Sequence, residues 1–375
     1  MTDLDLLYTD IEDDLRNAVR AVLDSHCDSA EVTALYDGDR SPVASLWKQI
    51  AVDLGLAGLL VPEERGGAGA SAREAAVVLE ELGRFVAPVP FLTSAVVATT
   101  VLLGTDSSLL GGLAAGERTA ALVLPFSTAP HGKLRTVALG ADGRLSGTIT
   151  SVAGALEADV LLVPAAGPHG IAVYAVSAEE ADIAPVISLD MTRQLADVTV
   201  DGVRGELVVA DGEPAIRRGL AAGAALLASE QYGIARWCLD ETVAYLKERR
   251  QFGRVVGGFQ ALKHRLADLY TEVESANAAA RYAAATLAAA DSDAPVAASV
   301  AQAFCSDAAV HAAEEAIQLH GGMGMTWEHP AHLYLKRAKA DQLAFGTGGD
   351  HRSRLAELVA VPGPHSLSSP AHDGS

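Results

Sequence analysis

The chain has 375 residues, half of them hydrophobic and 5% aromatic, with a formal net charge of −20. That length allows two or three structural units around sizeable cores, and that charge argues against nucleic acid or an anionic membrane surface as a partner. Cys27, Cys238 and Cys305 lie far apart with no CxxC pair, which predicts buried free thiols in a reducing cytosol rather than a disulfide or zinc framework.

The start, Met1-Thr2-Asp3-Leu4-Asp5, is acidic and lacks the basic residues and apolar run of a signal peptide. Residues 1–118 read as an N-terminal helical domain. Leu46, Ile50, Leu54 and Leu56, and later Leu79, Leu82 and Val86, follow roughly helical spacing. The Gly66-Gly67-Ala68-Gly69 stretch lacks both a preceding strand and a Lys-Ser/Thr partner, so it reads as a loop. Ser71 then caps a helix, with Glu74 closing a capping box. Residues 119–212 read as a middle β domain. Its segments 120–124, 160–164, 171–176 and 196–200 are short, β-branched and separated by Gly, Asp and Pro, the spacing of a small antiparallel sheet or barrel. Residues 213–361 return to helical patterning, with long runs at 217–249, 261–290 and 294–319, in the manner of a C-terminal bundle. Residues 362–375 are rich in Pro, Ser, His and Gly and read as a disordered tail. The Ala-rich helices are broken by charges, so no membrane span is expected.

Three C-terminal motifs stand in order: Arg249-Arg250-Gln251-Phe252-Gly253, Gln318-Leu319-His320-Gly321-Gly322, and Asp341-Gln342-Leu343-Ala344-Phe345-Gly346-Thr347. Together with Val61-Pro62 and Glu80-Glu81-Leu82-Gly83 they make the chain resemble the flavin-linked acyl-CoA dehydrogenase family over nearly its whole length. The resemblance implies that family's fold, mainly α with a central β domain: an N-terminal helical domain, a small β domain and a C-terminal four-helix bundle. It also implies FAD as cofactor, an acyl-CoA thioester as substrate and α,β-desaturation as the reaction. Arg249, Gln251, Phe252, Gln260, Gln318, Gly321 and Gly322 fall at positions that contact the flavin of a neighbouring subunit, and Gly346 and Thr347 at a further flavin-contact element. Around Gly324-Met325-Thr326-Trp327-Glu328-His329 the chain resembles actinobacterial members, many of which act on bulky substrates such as steroid side-chain acyl-CoA.

The same resemblance marks losses. A Glu that removes the substrate α-proton usually precedes the Gly-Thr pair, and here Phe345 stands there. The alternative place for that base, on an earlier helix, holds Gly223. On the strand beside the flavin, Ser151 replaces an aromatic and Ala153 a hydroxyl, and neither can stack or donate in its stead. Abstracting a proton α to a thioester needs a carboxylate within hydrogen-bond reach, and the nearest remaining ones, Glu230, Asp341 and Asp350, read as surface or structural groups. The histidines, His264, His311, His320, His329, His332 and His351, show no HExxH and no metal constellation, and read mostly as surface or helix-end residues. The expectation is therefore a subunit that catalyses only with a related partner, in a cytoplasmic hetero-oligomer of α2β2 type, and that completes the partner's FAD site. Two alternatives stand beside it: a self-sufficient dehydrogenase using Asp341 or Glu230, and a non-redox acyl-CoA-binding or scaffold protein.

Overall fold

The computed structural model describes residues 4–361, so the expected tail at 362–375 lies outside the described residues. The chain opens with α1 (Asp10–His26), α2 (Ser29–Ala34), α3 (Ser41–Lys48) and α4 (Ala72–Phe85). Ser71 accepts from Arg73 N–H while Glu74 reaches back to the Ser71 N–H, so the expected capping box starts α4. A π-helical stretch (Phe91–Ala98), α5 (Thr99–Leu102) and α6 (Leu109–Ala114) then lead to the sheet.

The strands are β1 (Ala120–Leu122), β2 (Val137–Leu139), β3 (Leu145–Ala153), β4 (Val160–Gly167), β5 (Gly170–Ser177), β6 (Asp182–Pro185), β7 (Leu195–Val203) and β8 (Glu206–Val209). They form one sheet in the order β6-β7-β3-β2-β4-β5-β8, with β1 also on β4. The sheet is not purely antiparallel, as the spacing suggested: β1 and β2 both run parallel to β4. The chain re-enters beside β4 after long crossings rather than by tight hairpins, and such crossings permit parallel pairing. One face of the sheet closes over Val137, Leu145, Ile149, Leu161, Val163 and Val198.

The C-terminal part is α7 (Gly212–Glu248), a hairpin of β9 (Arg250–Gln251) and β10 (Arg254–Val255), α8 (Gln260–Ala288), α9 (Ala294–His320), α10 (Ala331–Leu343) and α11 (Gly348–Leu358). At 37 residues α7 runs about 55 Å and forms the spine of the bundle. It packs on α8 and α9 through a seam of small side chains, among them Ala225, Ala228, Ala276, Ala280, Ala301 and Cys305. It crosses α4 in backbone contact: a Cβ on Gly83 would stand 2.1 Å from the Glu230 carbonyl oxygen, and one on Gly233 2.0 Å from that of Glu80. Only glycine permits that approach. All three cysteines are free and buried, and burial pushes the thiols of Cys27 and Cys305 up to about 12, so they pack as small hydrophobes.

Candidate functional site

Phe345 follows the C-cap of α10 and is 3% exposed. It adopts a left-handed backbone, φ 53°, which a bulky residue takes only when its surroundings hold it there. Its N–H donates to the Phe126 carbonyl at 2.8 Å, and its own carbonyl accepts from His351 Nε2 at 3.0 Å. The N–H of Phe126 in turn bonds the carbonyl of Ser151, itself at φ 60°. The loop, the strand and the C-terminal motif are thus tied by one run of backbone bonds.

The Phe345 ring lies edge-on to Phe126, with centroids 5.2 Å apart, and directly on Gly223. A Cβ at Gly223 would meet the ring Cζ at 2.6 Å and Val97 Cγ2 at 2.9 Å. The two positions where a base could stand are therefore one packing unit: the ring takes the space that a side chain at 223 would need. Beside the Phe345 ring, among Thr93, Leu124, Ala153 and Leu220, there remains a small gap of about 30 Å3.

The other carboxylates are committed elsewhere. Glu230 and Asp341 are both fully buried. Arg193 donates to Glu230 at 2.7 Å and to Asp341 at 2.8 Å, while Arg337 donates to Glu230 at 2.6 Å and to Asp190 at 2.7 Å. Burial alone would raise the Glu230 carboxyl, but Arg193 and Arg337 outweigh it and hold Glu230 below the usual range. Burial and the Glu230 charge push Asp341 well above it. Neither is the surface group that was one reading of the sequence; both are structural. Asp350 is the N3 residue of α11, and its carboxylate accepts from the Thr347 hydroxyl at 2.7 Å.

Between the sheet and α10 lies a cleft of about 750 Å3 lined by Phe126, Ser127, Ser151, Arg193, Lys339 and Leu343. The resemblance would put the chain's own half of a dinucleotide site here, and the lining offers little to hold one. Of its two cations, Arg193 is held as above and Lys339 pairs with Glu314 at 3.4 Å on the surface. Ser151 and Ala153 offer no ring.

The opposite end of α7 differs. Arg249 is its C-cap, and the hairpin that follows turns through Phe252 (φ 53°) and Gly253 (φ 73°), the positive-φ pair of a two-residue turn. The side chains of Arg249 and Arg250 make no hydrogen bond or ion pair among the described residues, and Phe252 is 87% exposed. Gln260 opens α8 in the open. Tyr245, one turn before Arg249, stacks on His320 at 4.4 Å, which sets the end of α7 against the end of α9. There Gln318 is exposed, and Gly321 (φ 61°) and Gly322 end the helix. The fold thus gathers the 249–253 and 318–322 motifs at the ends of α7 and α9. Gly346 and Thr347 lie apart from them: a Cβ on Gly346 would stand 2.8 Å from Ala129 Cβ, and Thr347 caps α11. At the end of α9 the structure also revises the sequence reading of the histidines. His320 is buried, and Glu241, His320 and His329 bring donor atoms within 4.8 Å of one another.

Sequence profiles of the acyl-CoA dehydrogenase N-terminal and C-terminal domains match residues 9–116 and 210–360. The chain belongs to the acyl-CoA dehydrogenase family. It is 35% identical over 346 residues to the acyl-CoA dehydrogenase IpdE2 of Mycolicibacterium smegmatis, an alignment covering 92% of this chain and 97% of that one. Among solved structures it is similar to a variant of the Tcur3481-Tcur3483 steroid ACAD, with 30% identity and a TM-score of 0.81 over 93% of this chain and 98% of that one. It is also similar to the ChsE4-ChsE5 complex of Mycobacterium tuberculosis, with 26% identity and a TM-score of 0.84 over 96% of this chain and 100% of that one. The family fold and its acyl-CoA dehydrogenase oxidoreductase class are therefore those of this chain, and members of the family bind FAD. Among the described residues no helix is long and apolar enough to cross a membrane.

Proposed function

We propose that this chain is the non-catalytic subunit of a heteromeric acyl-CoA dehydrogenase, folded in three parts (1–118, 119–212 and 213–361). The observation that carries this reading is the seat of Phe345 on Gly223, which leaves only a small gap of about 30 Å3 where an acyl chain and a base would have to meet. When bound, FAD supplies the hydride acceptor for α,β-desaturation. Arg249 offers the pyrophosphate an unpaired guanidinium. Gln251, Gln260 and Gln318 offer amides, Phe252 an apolar cover, and Gly321 and Gly322 a backbone without side chains to hold a dinucleotide off. Gly346 and Thr347 shape the turn that carries Phe345. A related subunit brings a carboxylate in the place of Phe345 and a ring in the place of Ser151. Two such pairs form an α2β2 assembly in the cytoplasm. The steroid ACAD among the structural neighbours supports a bulky, steroid-type acyl-CoA as substrate.

The test is expression alone and beside a family member that carries the Glu. Alone, the chain purifies without flavin and does not oxidise acyl-CoA. Together, the pair holds one FAD per heterodimer and turns over. A yellow homomer that oxidises acyl-CoA overturns the proposal, and absence of flavin in every co-expression points instead to a scaffold.

A further inference from the structure

His320 presents a specific anomaly. It is 3% exposed, and its Nδ1 lies 2.6 Å from the carbonyl oxygen of Ala316, one turn back on α9. A carbonyl only accepts, so Nδ1 carries the proton and Nε2 is left as a bare lone pair. That Nε2 is buried with no hydrogen-bond partner. Buried acceptors without donors are uncommon and call for a physical reason. Tyr245 stacks on the ring and fixes its plane.

Two further donors converge on it. The ring of His329, which enters α10, lies 4.2 Å from that of His320 between centroids. Glu241 lies two turns before the end of α7 and makes no hydrogen bond or ion pair among the described residues. One donor atom from each lies within 4.8 Å of the others. We infer that Glu241, His320 and His329 form a site for a zinc-class divalent cation that staples the ends of α7 and α9 to the entry of α10.

The chemistry favours that ion class. Two imidazoles and one carboxylate are the donors of an open His2Glu zinc site, with solvent in the fourth position. An oxygen-seeking cation such as Mg2+ would not select two imidazoles. The His320 Nδ1–H bond to a backbone carbonyl is the outer-shell arrangement that orients metal-ligating histidines. Tetrahedral coordination draws donor atoms to about 3.3 Å of one another, a contraction that rotation of Glu241 and His329 provides. His329 gives up little: its Nδ1 accepts one long bond, 3.3 Å, from the Ala331 N–H. The cation would fix the turn at Gly321 and Gly322, and its binding does not depend on whether the subunit is catalytic.

The experiment uses the full chain, stripped with EDTA and titrated with Co2+ and then Zn2+. One Co2+ per chain appears with a visible ligand-field band, Zn2+ displaces it, and Zn2+ raises the melting temperature. Glu241→Gln and His329→Gln each weaken Co2+ binding by at least about tenfold, and the double variant loses both the band and the zinc-dependent rise in melting temperature. His320 is left intact because it is buried, and circular dichroism checks that the variants fold. Absence of the band from the wild-type chain overturns the inference on its own. Zinc uptake by the double variant equal to wild type overturns it as well, because the ion then sits elsewhere.

Discussion

The two ends of α7 treat their functional positions in opposite ways. Near its beginning, Gly223 is sealed beneath Phe345, and the surrounding carboxylates are locked to Arg193 and Arg337. At its end, Arg249 and Arg250 stand unpaired and Phe252 is exposed on a hairpin tip. The first end follows what folding alone rewards: apolar packing and buried charges matched by partners. The second does not. An exposed aromatic beside free guanidiniums contributes little to the stability of the isolated subunit. A single helix thus carries a sealed, packed region near its beginning and an open, unpaired one at its end, which the proposed function reads as a half kept for packing and a half kept for contact.

The largest effect is expected at the sealed end. Phe345→Ala removes a buried ring from a site with little other free volume and should destabilise the chain by about 3–5 kcal/mol, read by urea unfolding. The complex that still folds should keep its turnover. A selective loss of turnover without loss of stability would instead mean that Phe345 touches the reaction.

Glu230→Gln strips two guanidiniums of their shared buried partner and should cost about 3–5 kcal/mol. Its pH signature has a definite sign. Glu230 is held below its ordinary 4.5 in the fold, so its contribution is complete above that pH and is lost as pH falls below it. The acid limb of the stability curve should therefore flatten in Glu230→Gln.

Much of this division was legible in the sequence. The motif order placed Arg249, Gln251, Phe252, Gln318, Gly321 and Gly322 together, and the helical and strand patterns located the elements within a few residues. Phe345, Gly223 and Ala153 could each be read as a loss, but not as neighbours in one apolar plug, because contacts between residues far apart in the chain leave no periodic trace. The pairing of Glu230 and Asp341 with Arg193 and Arg337 was hidden for the same reason. The donor cluster of Glu241, His320 and His329 spans three elements and matches no spacing pattern; its only sequence signal was a pair of histidines nine residues apart. The parallel pairing of β1 and β2 with β4 is likewise set by how the chain crosses the sheet.

At the open end, Arg249→Ala should leave the stability of the isolated chain within about 0.5 kcal/mol of wild type. In the complex it should weaken flavin retention by about 10- to 100-fold, the effect of a hydrogen bond to a charged group, read as FAD per heterodimer after gel filtration. Loss of stability without loss of flavin would reverse the roles given to the two ends.

The smallest expected effect is the sharpest. Asp341 is a remaining candidate for a relocated base, yet burial and the Glu230 charge push its carboxyl well above the usual carboxylate range. Its Oδ1 accepts from Arg193, and its Oδ2 is buried without a partner. An Asn amide reproduces the shape and the accepting oxygen of a neutral Asp. Because an Asp with a raised folded pKa stabilises fully only below its ordinary 3.8 and loses that contribution as pH rises, Asp341→Asn should be within about 1 kcal/mol of wild type at neutral pH, or above it. Turnover of the complex should not change. A general base, by contrast, contributes about 10²- to 10⁴-fold, and an amide cannot take a proton. A hundredfold fall in turnover by a stable Asp341→Asn complex would place the chemistry at the end of α7 that is assigned here to packing, while unchanged turnover leaves the base to the partner.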